Sequence, residues 1–170
     1  GDTLLVPNAT FHVMGGITAN NLRDVTIQLD GTLLFSNDTK AWPRDGKGKV
    51  HECLYFNNAS DVTFTSSGTG TLDGNGNKWW GIPGIGYLVR GENRPRLLHL
   101  DGSRRVLLER WLLKDSPYWT FLASGVDGLE VRWTDITARR TAHDGHAGSA
   151  SSASTRAPLS PPPPSPSPPP

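Results

Sequence analysis

Residues 68–80 read Gly-Thr-Gly-Thr-Leu-Asp-Gly-Asn-Gly-Asn-Lys-Trp-Trp, a short apolar strand set between glycine-rich turns. Gly70, Gly74 and Gly76 suit tight corners, where φ is positive or two backbones approach closely. Just upstream, residues 60–64 (SDVTF) place two apolar side chains two positions apart. That spacing is the period of a strand with one buried face. The region therefore predicts two short strands joined by a tight turn.

The pattern of residues 60–64 recurs along the chain. A polar turn followed by apolar residues at i and i+2 is also found at 23–27 (RDVTI), 104–108 (RRVLL) and 127–131 (DGLEV). A second short strand follows each unit, at 32–34, 71–72, 111–113 and 133–136. Such self-similarity is typical of a solenoid in which every repeat contributes two or three short strands.

The intervals between the repeats are uneven. The last two units are 23 residues apart, which suits one coil of short strands and turns. The two earlier intervals are 37 and 44 residues and predict two insertions. The first is at 41–50, with Pro43, Gly46 and Gly48, and the second is at 74–95, which is rich in glycine and has two prolines. Insertions in solenoids gather on one side and build the binding surface. On the repeats alone an all-β sandwich or propeller stays open, with residues 74–77 as a hairpin turn.

The C-terminal region has a different composition. From Thr137 to Pro170 the one sizeable hydrophobe is Leu159, and nine of the 14 prolines lie in residues 158–170. Such a segment cannot bury enough surface to offset the entropy of ordering it. We therefore expect a folded domain over residues 1–140. Residues 141–170 are predicted to be a disordered tail, Ala/Ser-rich and then Pro-rich, that extends as polyproline II.

Composition and charge exclude several classes of function. The formal net charge is +1, with 17 basic and 16 acidic side chains, which argues against a nucleic-acid binder. No apolar run approaches the ~18 residues of a membrane span, so we predict no membrane partner. The single cysteine, Cys53, allows neither an internal disulfide nor a cysteine-based zinc site, and we predict that it is a small buried hydrophobe.

Three Asn-x-Ser/Thr sequons lie in the first 60 residues, at Asn8, Asn37 and Asn58. They predict N-glycosylation of asparagines on turns and favour a protein of the secretory pathway. Together with the tail they lead us to expect a secreted, extracellular protein of the cell wall.

Several ordered segments resemble polygalacturonases and related proteins of glycoside hydrolase family 28. Residues 68–80 are similar to that family's Asp-Gly and Trp-Trp segment, and 94–98 (RPRLL) to the Arg-Pro entry to its next coil. Residues 114–121 (KDSPYWTF) resemble its Asn-Ser-Pro-aromatic-Trp segment, and 31–43 its opening coil. The resemblance covers about residues 3–140, which match the N-terminal part of the family. It implies an incomplete right-handed parallel β-helix.

The tryptophans of these segments have two interpretations. Trp79, Trp80 and Trp119 are either platforms that stack on sugar rings or anchors that pack loops against the coils. For the Trp79-Trp80 pair we favour packing, because it lies in an insertion that must be tethered. For Trp119 we favour packing as well, because residues 118–121 alternate as a strand does.

The resemblance implies inverting hydrolysis by three aspartates, one from an Asn-Thr-Asp-Gly motif and two from an Asp-Asp pair one coil later. Residues 142–145 (Ala-His-Asp-Gly) match only the end of the first motif, so Asp144 is the catalytic candidate. The family's Asp-Asp, Gly-His-Gly and Arg-Ile-Lys motifs do not follow in this sequence. His143 and His146 flank Asp144 without a third ligand, and we predict no metal and no cofactor. Asp73 lies in a turn and is predicted to be structural.

The function implied by the resemblance is that of a glycoside hydrolase directed at pectin or polygalacturonan. One carboxylate cannot run a mechanism that needs two, so we expect this chain to be inactive as written. The partner expected is an acidic, pectin-like cell-wall polysaccharide. The alternative is a non-catalytic wall protein that binds such a polysaccharide and carries a proline-rich stalk. A pectate lyase on the same fold would need a carboxylate cluster for calcium, which the sequence does not display.

Overall fold

The computed structural model describes residues 1–80 and 93–139, which form short strands and a single turn of 3₁₀-helix at Gly76–Trp79. The strands are β1 (Asp2–Val6), β2 (Thr10–Val13), β3 (Ile17–Asn20), β4 (Arg23–Leu29), β5 (Thr32–Phe35), β6 (Leu54–Asn57), β7 (Ser60–Thr65), β8 (Thr71–Asp73), β9 (Leu98–Asp101), β10 (Arg104–Glu109), β11 (Leu112–Lys114), β12 (Phe121–Ser124), β13 (Asp127–Arg132) and β14 (Asp135–Thr137). Within these residues no helix is long and apolar enough to cross a membrane.

Three consecutive strands make one coil, and each strand pairs in parallel with its counterpart in the next coil. Sheet A has the order β1-β4-β7-β10-β13, sheet B the order β14-β11-β8-β5-β2, and sheet C the order β12-β9-β6-β3. This is a parallel β-helix, and parallel crossovers of L-residues are right-handed almost without exception. The sandwich and propeller alternatives are wrong, because the three sheets are parallel throughout and residues 74–77 lead into the 3₁₀ turn instead of a hairpin.

The repeat predicted from the sequence is confirmed position by position. Val25 pairs with Val62, and Val62 pairs with Val106 in the next coil. Val106 in turn pairs with Leu129. In sheet B, Leu72 pairs with Leu33 on one side and with Leu113 on the other. The apolar positions of the repeat therefore form continuous stacks along the axis of the solenoid.

The interior is filled by these stacks and by aromatic side chains. Phe64 contacts Phe56 and Trp111 edge-to-face, with ring centroids 4.8 and 5.5 Å apart. Edge-to-face contacts of this kind add to the free energy gained by burying the rings. The indole Nε1 of Trp111 donates a hydrogen bond of 2.7 Å to the carbonyl oxygen of Thr65. The tryptophan is thus accommodated in the core without an unsatisfied donor.

Both insertions leave sheet B and return to sheet C, so they lie at the same corner of neighbouring coils, as predicted. Residues 36–53 connect β5 to β6, and residues 74–97 connect β8 to β9. Each is anchored by a buried tryptophan, Trp42 and Trp79, whose rings meet edge-to-face at 5.4 Å. The packing role predicted for Trp79 is confirmed, since its side chain is fully buried. The described parts of the two insertions therefore pack against each other through these two rings.

Exposed apolar side chains concentrate on the first and last described coils. Leu4 and Leu5 of β1 are 57% and 54% exposed, and Val131 and Ile136 of β13 and β14 are 48% and 60% exposed. The corresponding side chains of the middle coils, such as Leu72 and Leu108, have no exposed surface. This exposed apolar surface lies at the two ends of the solenoid formed by the described residues. The boundary expected at residue 140 and the tail predicted over 141–170 lie outside them.

Replacing Leu72 by alanine should lower the free energy of unfolding by about 2–5 kcal/mol, because the side chain is completely buried between two coils and would leave a cavity. Replacing exposed Leu4 in the same way should change it by less than about 0.5 kcal/mol. Urea denaturation followed by circular dichroism measures both. Equal losses for the two variants would contradict the assignment of Leu72 to the interior.

Candidate functional site

The outer face of sheet C carries a row of side chains in register. Thr18 pairs with Tyr55, Tyr55 with His99, and His99 with Leu122. Their neighbours along β6 and β9 are leucine and phenylalanine side chains that point into the core and are buried. Because alternate residues of a strand face opposite sides, the polar positions of these strands line the surface of the solenoid.

The first insertion turns this surface into a groove. A cavity of about 250 Å³ lies between sheet C and the insertion. Its lining consists of Thr18, Asp45, Lys49, Val50, His51, Glu52, Tyr55 and His99. The loop that forms the wall is held by Asp45, whose carboxylate accepts hydrogen bonds from the backbone N–H groups of Lys47 and Lys49 at 2.8 and 2.9 Å. These bonds lower the pKa of Asp45 and keep the wall in place.

Glu52 and Arg96 tie the two insertions together at the edge of the groove. Arg96 donates from its Nη1 to Glu52 Oε1 at 2.7 Å and from its backbone N–H to Oε2 at 2.5 Å. The side chains are 10% and 13% exposed, so the pair is mostly withdrawn from water. Removing one partner of such a pair leaves an uncompensated buried charge. The resulting loss of stability is much larger than the net stabilisation that the intact pair provides.

His99 lies at the floor of the groove, where burial favours the neutral form of its ring. Its Nδ1 is 3.5 Å from Glu52 Oε1, and neither ring nitrogen has a hydrogen-bond partner among the described residues. Burial lowers the pKa of the His99 imidazole, against the opposing effect of Glu52. The Tyr55 ring packs on it, with centroids 4.9 Å apart. The imidazole therefore offers a donor and an acceptor that no other described residue uses.

Tyr55 links the floor of the groove to a second carboxylate. Its hydroxyl donates to Asp101 Oδ2 at 3.1 Å. Burial and this hydrogen bond raise the pKa of Tyr55, so the phenol stays protonated at neutral pH. The arrangement presents hydroxyl, imidazole and carboxylate groups side by side, a set with both donors and acceptors for the hydroxyl groups of a ligand. Both carboxylates, Glu52 and Asp101, are already engaged by protein donors.

The residues predicted from the sequence fall in several places. Asp144, the catalytic candidate, lies outside the described residues, as do His143 and His146. Asp73 is structural as predicted: its carboxylate accepts from the backbone N–H of Asn75 at 2.9 Å and from Lys114 Nζ at 2.6 Å.

Two further expectations were confirmed and one was wrong. Cys53 is completely buried, and burial together with Glu52 raises the pKa of its thiol well above the usual range. Trp80 packs against the core and donates from Nε1 to the carbonyl oxygen of Ser116 at 2.8 Å. Trp119, expected to be packed, is 46% exposed. The residues before β12 form a bend and not a strand, so the alternation that suggested burial does not apply to them.

The sequence reasoning missed the groove residues altogether. The sequence feature that could have revealed them is the alternation of leucine or phenylalanine with polar side chains in 54–57 (LYFN) and 98–101 (LHLD). It predicts a third strand in each coil with one polar face. Glu52 and Arg96 carry no local signal, because they are 44 positions apart and meet through the stacking of coils.

Comparisons with known proteins agree with this architecture. The model of glycosyl hydrolases family 28 matches residues 2–155. The chain is 28% identical over 132 residues to "Probable exopolygalacturonase B" of Aspergillus fumigatus, covering 71% of this chain and 28% of that protein. It is 25% identical over 123 residues to "Alpha-L-rhamnosidase rgxB" of Aspergillus niger, again covering 71% of this chain and 28% of the relative. The chain thus spans less than a third of the length of these two curated relatives.

A solved structure has the same fold. The crystal structure of endo-xylogalacturonan hydrolase from Aspergillus tubingensis superposes with a TM-score of 0.66 at 21% identity. The match covers 82% of this chain and 36% of that one. The likeness confirms the predicted fold class, a right-handed parallel β-helix.

Burial of His99 should make the stability of the protein depend on pH. The folded state holds the imidazole below its ordinary pKa, so the unfolded chain takes up the proton first as the pH falls. The contribution of His99 to the free energy of unfolding should have its full value above about pH 6.5 and decrease as the pH falls below that value. Urea midpoints measured between pH 7.5 and pH 5 should show this slope, and His99→Gln should flatten it. His12→Gln, at an exposed position of β2, is the control. An unchanged slope in His99→Gln would contradict the assignment.

Proposed function

The chain belongs to glycosyl hydrolases family 28, and we propose that its groove on sheet C binds an acidic, pectin-like polysaccharide. In this proposal the protein is a glycoside hydrolase directed at pectin or polygalacturonan, of the inverting type. The chain contributes the N-terminal coils of the solenoid and the part of the binding surface that they carry.

The observation that carries the proposal is the polar row on the outer face of sheet C. Thr18, Tyr55 and His99 come from three successive coils, and the first insertion flanks the row. Neighbouring strands are about 4.8 Å apart, so the row offers hydrogen-bonding groups at regular steps along the axis. An extended polymer of hydroxylated rings fits such a surface better than a small compact ligand.

Asp144 is proposed as the catalytic carboxylate that this chain contributes. It stands where the family's first catalytic aspartate is expected, after the coil that ends with β14. Inverting hydrolysis requires a general acid and a general base on opposite sides of the scissile bond. Within the described groove, Glu52 and Asp101 are bound to Arg96 and Tyr55 and do not replace the missing partner. We therefore propose that this chain, by itself, binds the polysaccharide without hydrolysing it.

A secreted, cell-wall location and N-glycosylation complete the proposal. Asn8 and Asn58 are exposed, and Asn37 is half-buried. Asn58 has a left-handed φ of 52° at the corner between sheets C and A, and its Nδ2 donates to Asn21 Oδ1 at 2.7 Å. The side-chain amide of Asn58 is thus engaged in the corner that joins two coils. Asn8 is the sequon best placed to carry a glycan.

The alternative function, a wall protein that binds polysaccharide through the β-helix and is carried by a proline-rich stalk, shares the same groove. It differs in having no hydrolytic role even in a longer protein. Hydrolysis of the polysaccharide distinguishes the two proposals, whereas both predict that the groove binds it.

The purified 170-residue chain should bind polygalacturonate and release no reducing sugar from it above a blank. In affinity electrophoresis its migration should be retarded by polygalacturonate in the gel. Tyr55→Ala should weaken the retardation several-fold, since it removes the ring and hydroxyl that support His99 and Asp101. Leu4→Ala, on β1 of sheet A, is the matched control. Release of reducing sugar would overturn the inactivity of the chain, and absence of retardation would overturn the proposed groove.

Expression in a secreting eukaryotic host should yield a chain that carries a glycan at Asn8. Peptide mass spectrometry before and after enzymatic deglycosylation measures the occupancy of each sequon. We expect occupancy at Asn58 to be lower than at Asn8, because the Asn58 amide is hydrogen-bonded within a corner. Full occupancy of Asn58 together with an empty Asn8 would contradict this ranking.

A further inference from the structure

We propose that Lys49, on the loop of residues 44–50 that walls the groove, binds carboxylate groups of the acidic polysaccharide and sets the preference of the groove for charged over uncharged chains. The inference deepens the proposed function and rests on it, because it assigns the residue that recognises the acidic group of the same ligand. Lys49 is in this proposal a specificity-determining residue and takes no part in the chemistry.

The loop of residues 44–50 carries an excess of positive charge. Its sequence, RDGKGKV, has three basic side chains and one carboxylate. Among the described residues, neither Lys47 nor Lys49 forms an ion pair. On other parts of the solenoid basic side chains pair with carboxylates, as Lys114 does with Asp73 at 2.6 Å. The two lysines of the loop are therefore not neutralised in this way.

The two carboxylates that line the groove are already engaged by donors of the protein. Asp45 Oδ1 accepts from the backbone N–H groups of Lys47 and Lys49, and Glu52 is bound by Arg96. The backbone hydrogen bonds lower the pKa of Asp45 most, and the nearby charge of Lys49 adds a smaller effect. The Lys49 ammonium thus lies near Asp45 without forming an ion pair with it. A carboxylate brought by a ligand is attracted to this ammonium.

Lys49 is placed at the groove by the residues that follow it. Val50 is 5% exposed and anchors the loop in the core, and its backbone N–H donates to Asn93 Oδ1 at 3.0 Å. Lys49 and His51, on the two sides of Val50, are exposed and both line the cavity of about 250 Å³. Both residues therefore border the same space as Tyr55, on the floor of the groove.

The loop holds its shape without a ligand. Arg44 pairs with Val50 in an antiparallel bridge, and the backbone N–H of Asp45 donates to the carbonyl oxygen of Lys49 at 2.9 Å. Arg44 also donates from Nη1 to the carbonyl oxygen of Gly48 at 3.0 Å, a contact that neutralises no charge. A binding group on a backbone that is already fixed loses less entropy on binding than one on a loose loop.

Charge is the property by which such a loop distinguishes its ligands. A uronate ring carries one carboxylate, and methyl esterification removes that charge while the ring and its hydroxyl groups remain. A single exposed ion pair contributes modestly to affinity and is screened by salt. Lys49 should therefore set the preference between charged and uncharged chains, whereas the polar groups on the floor of the groove bind features that both chains share.

Lys40 provides a matched control. It lies in the same insertion, is exposed, and forms no ion pair with any described residue. Unlike Lys49, it is not among the described residues that line the cavity. Replacing either lysine by glutamine removes one positive charge from the same insertion, so the two variants differ in the position of the lost charge.

The test is a titration of the 170-residue chain with oligogalacturonate and, separately, with the same oligomer methyl-esterified, by isothermal calorimetry at low and at high salt. Lys49→Gln should weaken the binding of oligogalacturonate about fivefold and reduce its dependence on salt. Lys49→Arg should keep most of the affinity, and Lys40→Gln should bind as the unchanged chain does. The esterified oligomer should bind more weakly and should not respond to Lys49→Gln. Circular dichroism and thermal melting establish that each variant is folded.

The outcomes separate this inference from the function on which it rests. If the unchanged chain binds oligogalacturonate and Lys49→Gln binds it equally well, the role of Lys49 is refuted while the groove stands. Equal weakening by Lys49→Gln and Lys40→Gln would also refute it, since only the total charge would then matter. Equal binding of the acidic and the esterified oligomer would overturn the recognition of carboxylates. Failure of the unchanged chain to bind either oligomer would refute the groove and the role of Lys49 together.

Discussion

Parallel pairing between successive coils is the constraint on which the rest of this structure depends. A strand of the solenoid satisfies its backbone N–H and C=O groups with the strands above and below it. Val62 therefore has to stack between Val25 and Val106, and Leu72 between Leu33 and Leu113. A slip of one residue would turn every buried side chain of a strand outward. The register that fills the core also fixes which side chains face the solvent on sheet C.

The insertions are confined by the same constraint. A coil can be lengthened only at a corner, because extra residues within a strand would break the pairing on both sides. Both insertions use the corner between sheets B and C, and buried Trp42 and Trp79 hold them against one another. The pair of Glu52 and Arg96 then joins the end of one insertion to the end of the next. The wall of the groove is therefore part of the folded core and not a loose loop.

The sequence predicts sheets A and B well and sheet C poorly, for a physical reason. In sheets A and B each repeat combines a polar turn with two apolar positions, and the turn marks where the strand begins. Two of the four sheet C strands, β6 and β9, follow insertions of different length, so the spacing of the sheet C strands gives no periodic signal. The handedness was implied by the family resemblance, and the short strands of the first coil were not identified from the repeats.

The groove could not be read from local sequence because its contacts are made between coils. Glu52 and Arg96, or Tyr55 and Asp101, are more than 40 positions apart and become neighbours only when the coils stack. For Trp119 a local pattern was present but misleading. The alternation in residues 118–121 suggested a strand with a buried face. The structure has a bend there, held by Ser116 and Leu97, and the indole turns outward. Periodicity indicates burial only where the backbone is extended.

The polar cluster of the groove contributes to stability and fixes the positions of the groups that line it. Breaking the pair of Glu52 and Arg96 would leave a charge in a site that water barely reaches, so the pair must form whenever the two coils stack. Its formation places the Arg96 guanidinium against Trp119 and the Glu52 carboxylate beside His99. One mostly buried ion pair thus contacts both the Trp119 ring and the His99 imidazole on adjoining coils. A ligand that spans both meets groups whose relative positions folding has already fixed.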